Sequence, residues 1–288
     1  MNVRGRVLLV SPDGMLGRAW KRLLDAERIE HDEVLFPAFD LTRPADVERA
    51  ITREHAWVVN CSAFTDVDGA EQKEAEALRV NGEGVGNLVG RCRAVGAKLV
   101  HYSTDYVFSG EAVAPYTVDA PHDPINAYGR SKAHGERLII ESGLPHLLLR
   151  TSWLYAPWAK NFVRTIVRLS RERPELNVVN DQRGRPSSAE QVALATLRLM
   201  EKSLARPGFQ GVFHVTDGGE CTWFEFATRV ARFANPSCRV LPTTAAQFPL
   251  PAKRPTYSVL DITKTERAIG LMKPWEQNVD DVLARLEA

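Results

Sequence analysis

The sequence predicts an α/β fold, a doubly wound parallel sheet followed by a smaller C-terminal domain. Three observations carry the prediction. Short apolar runs alternate with segments of helical period, the first run passes through a glycine-bearing turn into a helix, and the rhythm loosens after about residue 155 as prolines accumulate. The boundaries that follow are residues 1–155 for the sheet domain and 156–288 mainly for a cap, with some cap segments returning to the first domain.

Val7-Leu8-Leu9-Val10 is a continuous apolar run, as expected of a parallel strand buried on both faces, and Leu16, Ala19, Trp20, Leu23 and Leu24 then recur at helical spacing. Val34-Leu35-Phe36 is the second strand candidate, Pro44 to Ile51 a helix, Trp57 to Asn60 the third strand, and Ala75 to Val95 a long helical region stopped by Gly96. Lys98 to Tyr102 and Leu147 to Arg150 continue the strand series around a helical segment, Ser131 to Glu141, and Phe224 to Ala234 is a helix of the cap.

Composition narrows the partners. In 288 residues, 37 Lys and Arg balance 36 Asp and Glu, so charge favours neither a nucleic acid nor an anionic membrane. Cys61, Cys92, Cys221 and Cys238 show no Cys-x-x-Cys pair and read as free buried thiols, which suits the cytoplasm. The N-terminal run Met-Asn-Val-Arg-Gly-Arg and the short apolar stretch after it read as neither leader nor span.

Two segments carry chemistry. The turn Ser11-Pro12-Asp13-Gly14-Met15-Leu16-Gly17 lies where a dinucleotide pyrophosphate rests on exposed N–H groups in a Rossmann-like domain; Gly14 permits close backbone approach and Gly17 close packing of helix on strand. Tyr128-Gly-Arg-Ser-Lys132 places a phenol and an ammonium on one helix face, where the cation is expected to lower the phenol's pKa. Leu99 to Gly110 ends a strand and brings hydroxyls to the same sheet edge, with Thr104 placed to bond a substrate carbonyl.

Ser103-Thr104-Asp105-Tyr106-Val107-Phe108, Tyr128-x-x-x-Lys132 and the Gly14/Gly17 turn together resemble the extended short-chain dehydrogenase/reductases. Asp40-Leu41-Thr42, Asn60 to Thr65, Arg150 to Tyr155, Asn180 to Pro186, His214-Val215 and Arg254-Pro255 narrow the resemblance to the dTDP-4-dehydrorhamnose reductase family, along nearly the whole chain. That resemblance implies reduction of the C4 ketone of a dTDP-linked 6-deoxy-4-ketohexose by NADPH or NADH. It implies Tyr128 as proton donor, Lys132 as its modulator and ribose ligand, and Thr104 as carbonyl partner. It also places Ser11, Gly14, Met15, Leu16, Gly17, Asp40, Leu41, Cys61, Ser62 and Ala63 along the dinucleotide. Val67, Asp105, Tyr106, Trp153 and Arg254 would meet the sugar nucleotide, Arg254 at a phosphate. A homodimer is compatible with the resemblance. No metal is expected, because Ala19 stands where some relatives carry a carboxylate and Glu190 alone is no site.

Some features depart from the family pattern. Ser11 replaces the first glycine and Pro12 biases it toward extended backbone, so a weaker cofactor turn is expected. The end of the second strand carries neither an acid for a 2′-hydroxyl nor an arginine for a 2′-phosphate, which leaves Arg18 as the candidate for the latter. Two other functions compete: a sugar-nucleotide epimerase or dehydratase, against which Tyr106 stands in place of an expected acid, and a non-catalytic dinucleotide-binding regulatory subunit, against which the intact Thr104, Tyr128 and Lys132 argue.

Overall fold

The computed structural model describes residues 5–286, so Met1–Arg4 of the N-terminal run lie outside the described residues. A six-stranded parallel sheet forms the centre. Its strands β1 (Arg6–Val10), β2 (His31–Val34), β3 (His55–Asn60), β4 (Lys98–Thr104) and β5 (His146–Thr151) are joined at the β5 edge by the strand Gly211–His214, in the order 211–214, β5, β4, β3, β1, β2. The sheet thus takes its last strand from beyond residue 155, returning from the C-terminal half.

Alternation along the strands divides the core. Val7 and Leu9 face α1 (Met15–Ala26), while Leu8 and Val10 face α2 (Pro44–Ala50). All four are at most 1% exposed, and each contributes on the order of 1.5–3 kcal/mol through burial. Between β3 and β4 the chain forms the short α3 (Val67–Ala70), and then the expected long helical region, made of α4 (Glu74–Leu78), a π segment (Arg79–Glu83) and α5 (Gly84–Val95) without a break. Gly96 ends α5 at φ +80°, a left-handed cap that glycine adopts without a Cβ penalty.

The second strand corrects the sequence reading. It covers His31–Val34, a half-buried edge strand, and Leu35 and Phe36 lie beyond it, the latter 71% exposed. After β4 comes α6 (Ala127–Glu141), then α7 (Phe162–Glu172), α8 (Ala189–Ala205) and α9 (Trp223–Ala234). Helix α8 packs with α1 on one sheet face, whereas α7, α9 and the helix Trp275–Ala284 surround a separate cluster of Tyr155, Val163, Leu176, Phe226 and Trp275. Among the described residues, no helix is long and apolar enough to cross a membrane. Cys92, Cys221 and Cys238 are buried free thiols, and Cys61 is half-buried.

Candidate active site

At the carboxyl edge of the sheet, β1 turns into α1. The Ser11 N–H donates to Val34 O at 2.8 Å, and Ser11 takes φ +59°. The extended geometry expected from Pro12 is therefore overturned: the close packing of Gly17 beneath Ser11 holds a serine in the left-handed region that glycine usually fills. Gly14 begins α1 with no side-chain cap and no acid in the first turn, so its leading N–H groups are available to an anion.

This turn forms one wall of a cleft of about 990 Å³. Ser11, Gly14, Met15, Leu16, Asp40, Leu41, Cys61, Ser62 and Ala63 line it, as do Val67, Thr104, Asp105, Tyr106, Tyr128, Lys132 and Trp153. Gly17 does not line the cleft and acts through packing. Arg254 is also absent from the lining, because Asp68 holds both arms of its guanidinium at 2.6 and 2.8 Å. Arg18 donates to Asp13 O instead of facing the cleft, and the arginines that do line it are Arg43 and Arg79.

Helix α6 is docked by its first turn. Asn126 caps it by accepting from Gly129 N–H at 2.7 Å, Glu71 accepts from Ala127 N–H at 2.7 Å, and a Cβ on Gly129 would lie 2.1 Å from Tyr106 O. This close approach brings Tyr128 edge-on to Tyr106, with ring centroids 6.0 Å apart. The π segment turns Asn81 inward, where it donates to Ser131 Oγ and clamps both backbone polar groups of Phe64. The Thr104 hydroxyl donates to Asp105 Oδ1 at 3.0 Å and accepts from Tyr106 N–H at 3.2 Å.

Tyr128 differs from expectation in its acidity. Desolvation and the neighbouring Asp105 carboxylate raise its pKa above the ordinary phenol value, against a smaller opposing hydrogen bond with Thr104. Lys132, one turn along, does not reach across to the phenol: 2% exposed, it donates to Tyr102 O at 2.6 Å and lies 3.3 Å from His101 Nε2. Burial lowers Lys132 to about 8 and raises Asp105 to about 6.

The opposite wall is aromatic. Trp153, at φ +47°, stacks on Trp223 with centroids 3.6 Å apart and planes 12° from parallel, and its ring covers Gly184, where a Cβ would come within 2.7 Å. Trp223 escaped the sequence reading, since it opens a cap helix and only the fold brings it to Trp153. Phe36, two residues past the edge strand, stands at the rim. Among the described residues, no group of three His, Cys, Asp or Glu side chains is gathered to hold a metal ion, and Glu190 pairs with Arg285 at 2.8 Å.

A helix start bare to anions, facing a phenol and a buried lysine across one parallel-sheet edge, is the arrangement of short-chain dehydrogenase/reductases. Within that class the chain belongs to the RmlD substrate binding domain family, whose profile matches residues 5–288. It is 40% identical over 270 residues to a dTDP-4-dehydrorhamnose reductase of Streptomyces griseus, covering 92% of this chain and 88% of that one. The crystal structure of a dTDP-4-dehydrorhamnose reductase from Clostridium acetobutylicum superposes with a TM-score of 0.92 at 32% identity, covering 98% of this chain and 100% of that one. One from Bacillus anthracis, in complex with NADP, gives 0.91 at 34% identity and covers 98% and 99%.

Proposed function

We propose that this protein is a cytoplasmic NADPH- or NADH-dependent reductase that converts dTDP-4-dehydro-L-rhamnose to dTDP-L-rhamnose. The observation that carries the reading is the convergence of Thr104, Tyr128 and Lys132 on the cleft walled by the Ser11–Leu16 turn, in a chain whose relatives bear that reductase name. The uncapped start of α1 and the Gly17 packing that holds the turn fit a dinucleotide pyrophosphate, and the bound dinucleotide supplies the hydride.

Thr104 turns its hydroxyl proton from Asp105 to the C4 carbonyl, and Tyr128 protonates the nascent alkoxide. A phenol held above its ordinary pKa stays protonated at neutral pH, as a proton donor must. Lys132 serves as ribose ligand and, once protonated in the loaded site, modulates Tyr128. Residues 1–155 hold most of the dinucleotide, while Trp153 and residues 156–288, with the Trp223 face of α9, close over the sugar nucleotide.

The test supplies dTDP-4-keto-6-deoxyhexose and follows oxidation of NADPH or NADH. Tyr128→Phe is expected to lower turnover by ~10²-fold or more with folding intact. Wild-type protein that oxidises neither dinucleotide, or a Tyr128→Phe variant with near-wild-type turnover, would remove the reading.

A further inference from the structure

Two buried side chains outside the reacting set, Asn60 and His101, form a line beneath Lys132. The Ser62 N–H donates to Asn60 Oδ1 at 3.0 Å, which fixes the orientation of the Asn60 amide. Its other end, the Nδ2 donor, then faces His101 Nδ1 at 3.0 Å. His101 must accept there and so carries its proton on Nε2, the nitrogen 3.3 Å from Lys132 Nζ.

An ammonium has three donors and no lone pair, so it would meet the Nε2–H donor head-on. Flipping the Asn60 amide relieves nothing, because its NH₂ would then oppose the Ser62 N–H. A single assignment satisfies every group: Ser62 N–H to Asn60, Asn60 to His101 Nδ1, His101 Nε2–H to a lone pair on Lys132, and Lys132 N–H to Tyr102 O at 2.6 Å.

We propose that Asn60, acting through His101, holds Lys132 in the ligand-free protein as an uncharged amine that accepts the imidazole's hydrogen bond. Asn60, His101 and Lys132 are 1, 1 and 2% exposed, so opposed donors on Nε2 and Nζ would be costly. The ionisable neighbours divide. Glu136, on the same helix, favours charge on Lys132 and His101 but is itself engaged by Arg150 at 2.7 Å and by His122 at 2.9 Å, whereas His146 of β5 adds to the pressure that keeps His101 neutral. Burial lowers Lys132 to about 8 against the pull of the Glu136 carboxylate, and a donor aimed at its nitrogen acts in the same direction as burial. Asn60 and His101 are thereby positioning residues that set the charge with which Lys132 awaits its ligands.

The inference deepens the reductase reading and rests on it only where turnover is concerned, so the test uses the free protein. Nitrogen-15 spectra of histidine-labelled protein at pH 8.5 are expected to show His101 as the Nε2–H tautomer, and a carbon-13 titration of Lys132 to give a midpoint below 8. Asn60→Asp is nearly isosteric but presents an acceptor to Nδ1. It is expected to switch His101 to the Nδ1–H tautomer and raise the Lys132 midpoint by about one pH unit or more, a tenfold change in its protonation equilibrium. An Nδ1–H tautomer in the wild type overturns the proposal, and so does a switched tautomer in the variant with an unmoved lysine. The wild-type tautomer decides the matter alone if the variant does not fold. An inactive protein with the expected tautomer would sink the reductase reading and leave this one standing.

Discussion

The carbonyl oxygen of Ser11 occupies the space in which a side chain on residue 17 would begin: a Cβ on Gly17 would lie 1.9 Å from it and 2.9 Å from Pro12 Cα. Neither neighbour is the end of a flexible side chain. Gly17→Ala therefore has to move the turn itself, and loss of about 1–3 kcal/mol of stability is expected with at least tenfold weaker dinucleotide binding. Denaturation and calorimetric titration measure the two effects; a variant near wild type in both contradicts this account of the turn.

Ser11→Gly acts in the opposite sense. At φ +59° a serine bears a steric cost of about 1–2 kcal/mol that glycine lacks, part of which is offset by the greater freedom of glycine in the unfolded chain. A gain of about 0.5–1 kcal/mol in unfolding free energy is expected, with dinucleotide affinity changed by less than about threefold because the turn already has its left-handed form. Destabilisation by this substitution would show that the serine is unstrained there.

Arg150 and Glu136 form an ion pair 2% and 0% exposed, joined at 2.7 Å and supported by His122 and Val118 O. Burial alone would raise Glu136, yet hydrogen bonds from His122 and Arg150 hold it near 2. Arg150→Met leaves that carboxylate without its main partner, at an expected cost of about 3–5 kcal/mol in urea unfolding. Arg150→Met with Glu136→Leu is expected to recover more than half the loss. A double variant as unstable as the single one would show that lost packing, not charge, is responsible.

Asp217 is fully buried and is raised to about 7 by desolvation, against hydrogen bonds with Tyr155, Ser188 and Asn278. Its folded pKa exceeds its unfolded value near 3.8, so between about pH 4 and pH 7 the folded chain binds the extra proton and this group's contribution to stability falls as pH rises. Asp217→Asn carries no such titration. The Tm of the wild type relative to that variant is expected to drop from pH 5 to pH 8 by the equivalent of more than about 1 kcal/mol. A pH-independent difference would mean that Asp217 titrates alike in both states.

What was legible in the sequence follows from where burial dictates residue type. Val7–Val10, Trp57–Asn60 and Leu147–Arg150 lie in the sheet interior and read as strands, whereas His31–Val34 at the edge is half-buried and polar and let the apolar Leu35-Phe36 draw the expected strand toward the cleft rim. The Tyr128–Lys132 pair was legible as a spacing, but its electrostatics were not. A period of four says that two side chains share a face, and says nothing of Tyr102 O and His101, which take the lysine. Trp223 and the Asp68 grip on Arg254 arise from contacts between distant segments, for which the chain carries no local signal.

The strand Gly211–His214 completes the sheet at β5, and this bears on how the chain can be made. During synthesis, Leu147, Leu148 and Leu149 exist for some sixty residues as an open edge, with no partner for their outward backbone groups until the strand 211–214 leaves the ribosome. A nascent chain halted before that point offers neighbouring chains an adhesive apolar strand. The first half is therefore poorly suited to life as a separate fragment, and a gene cut at residue 155 would encode a sticky intermediate.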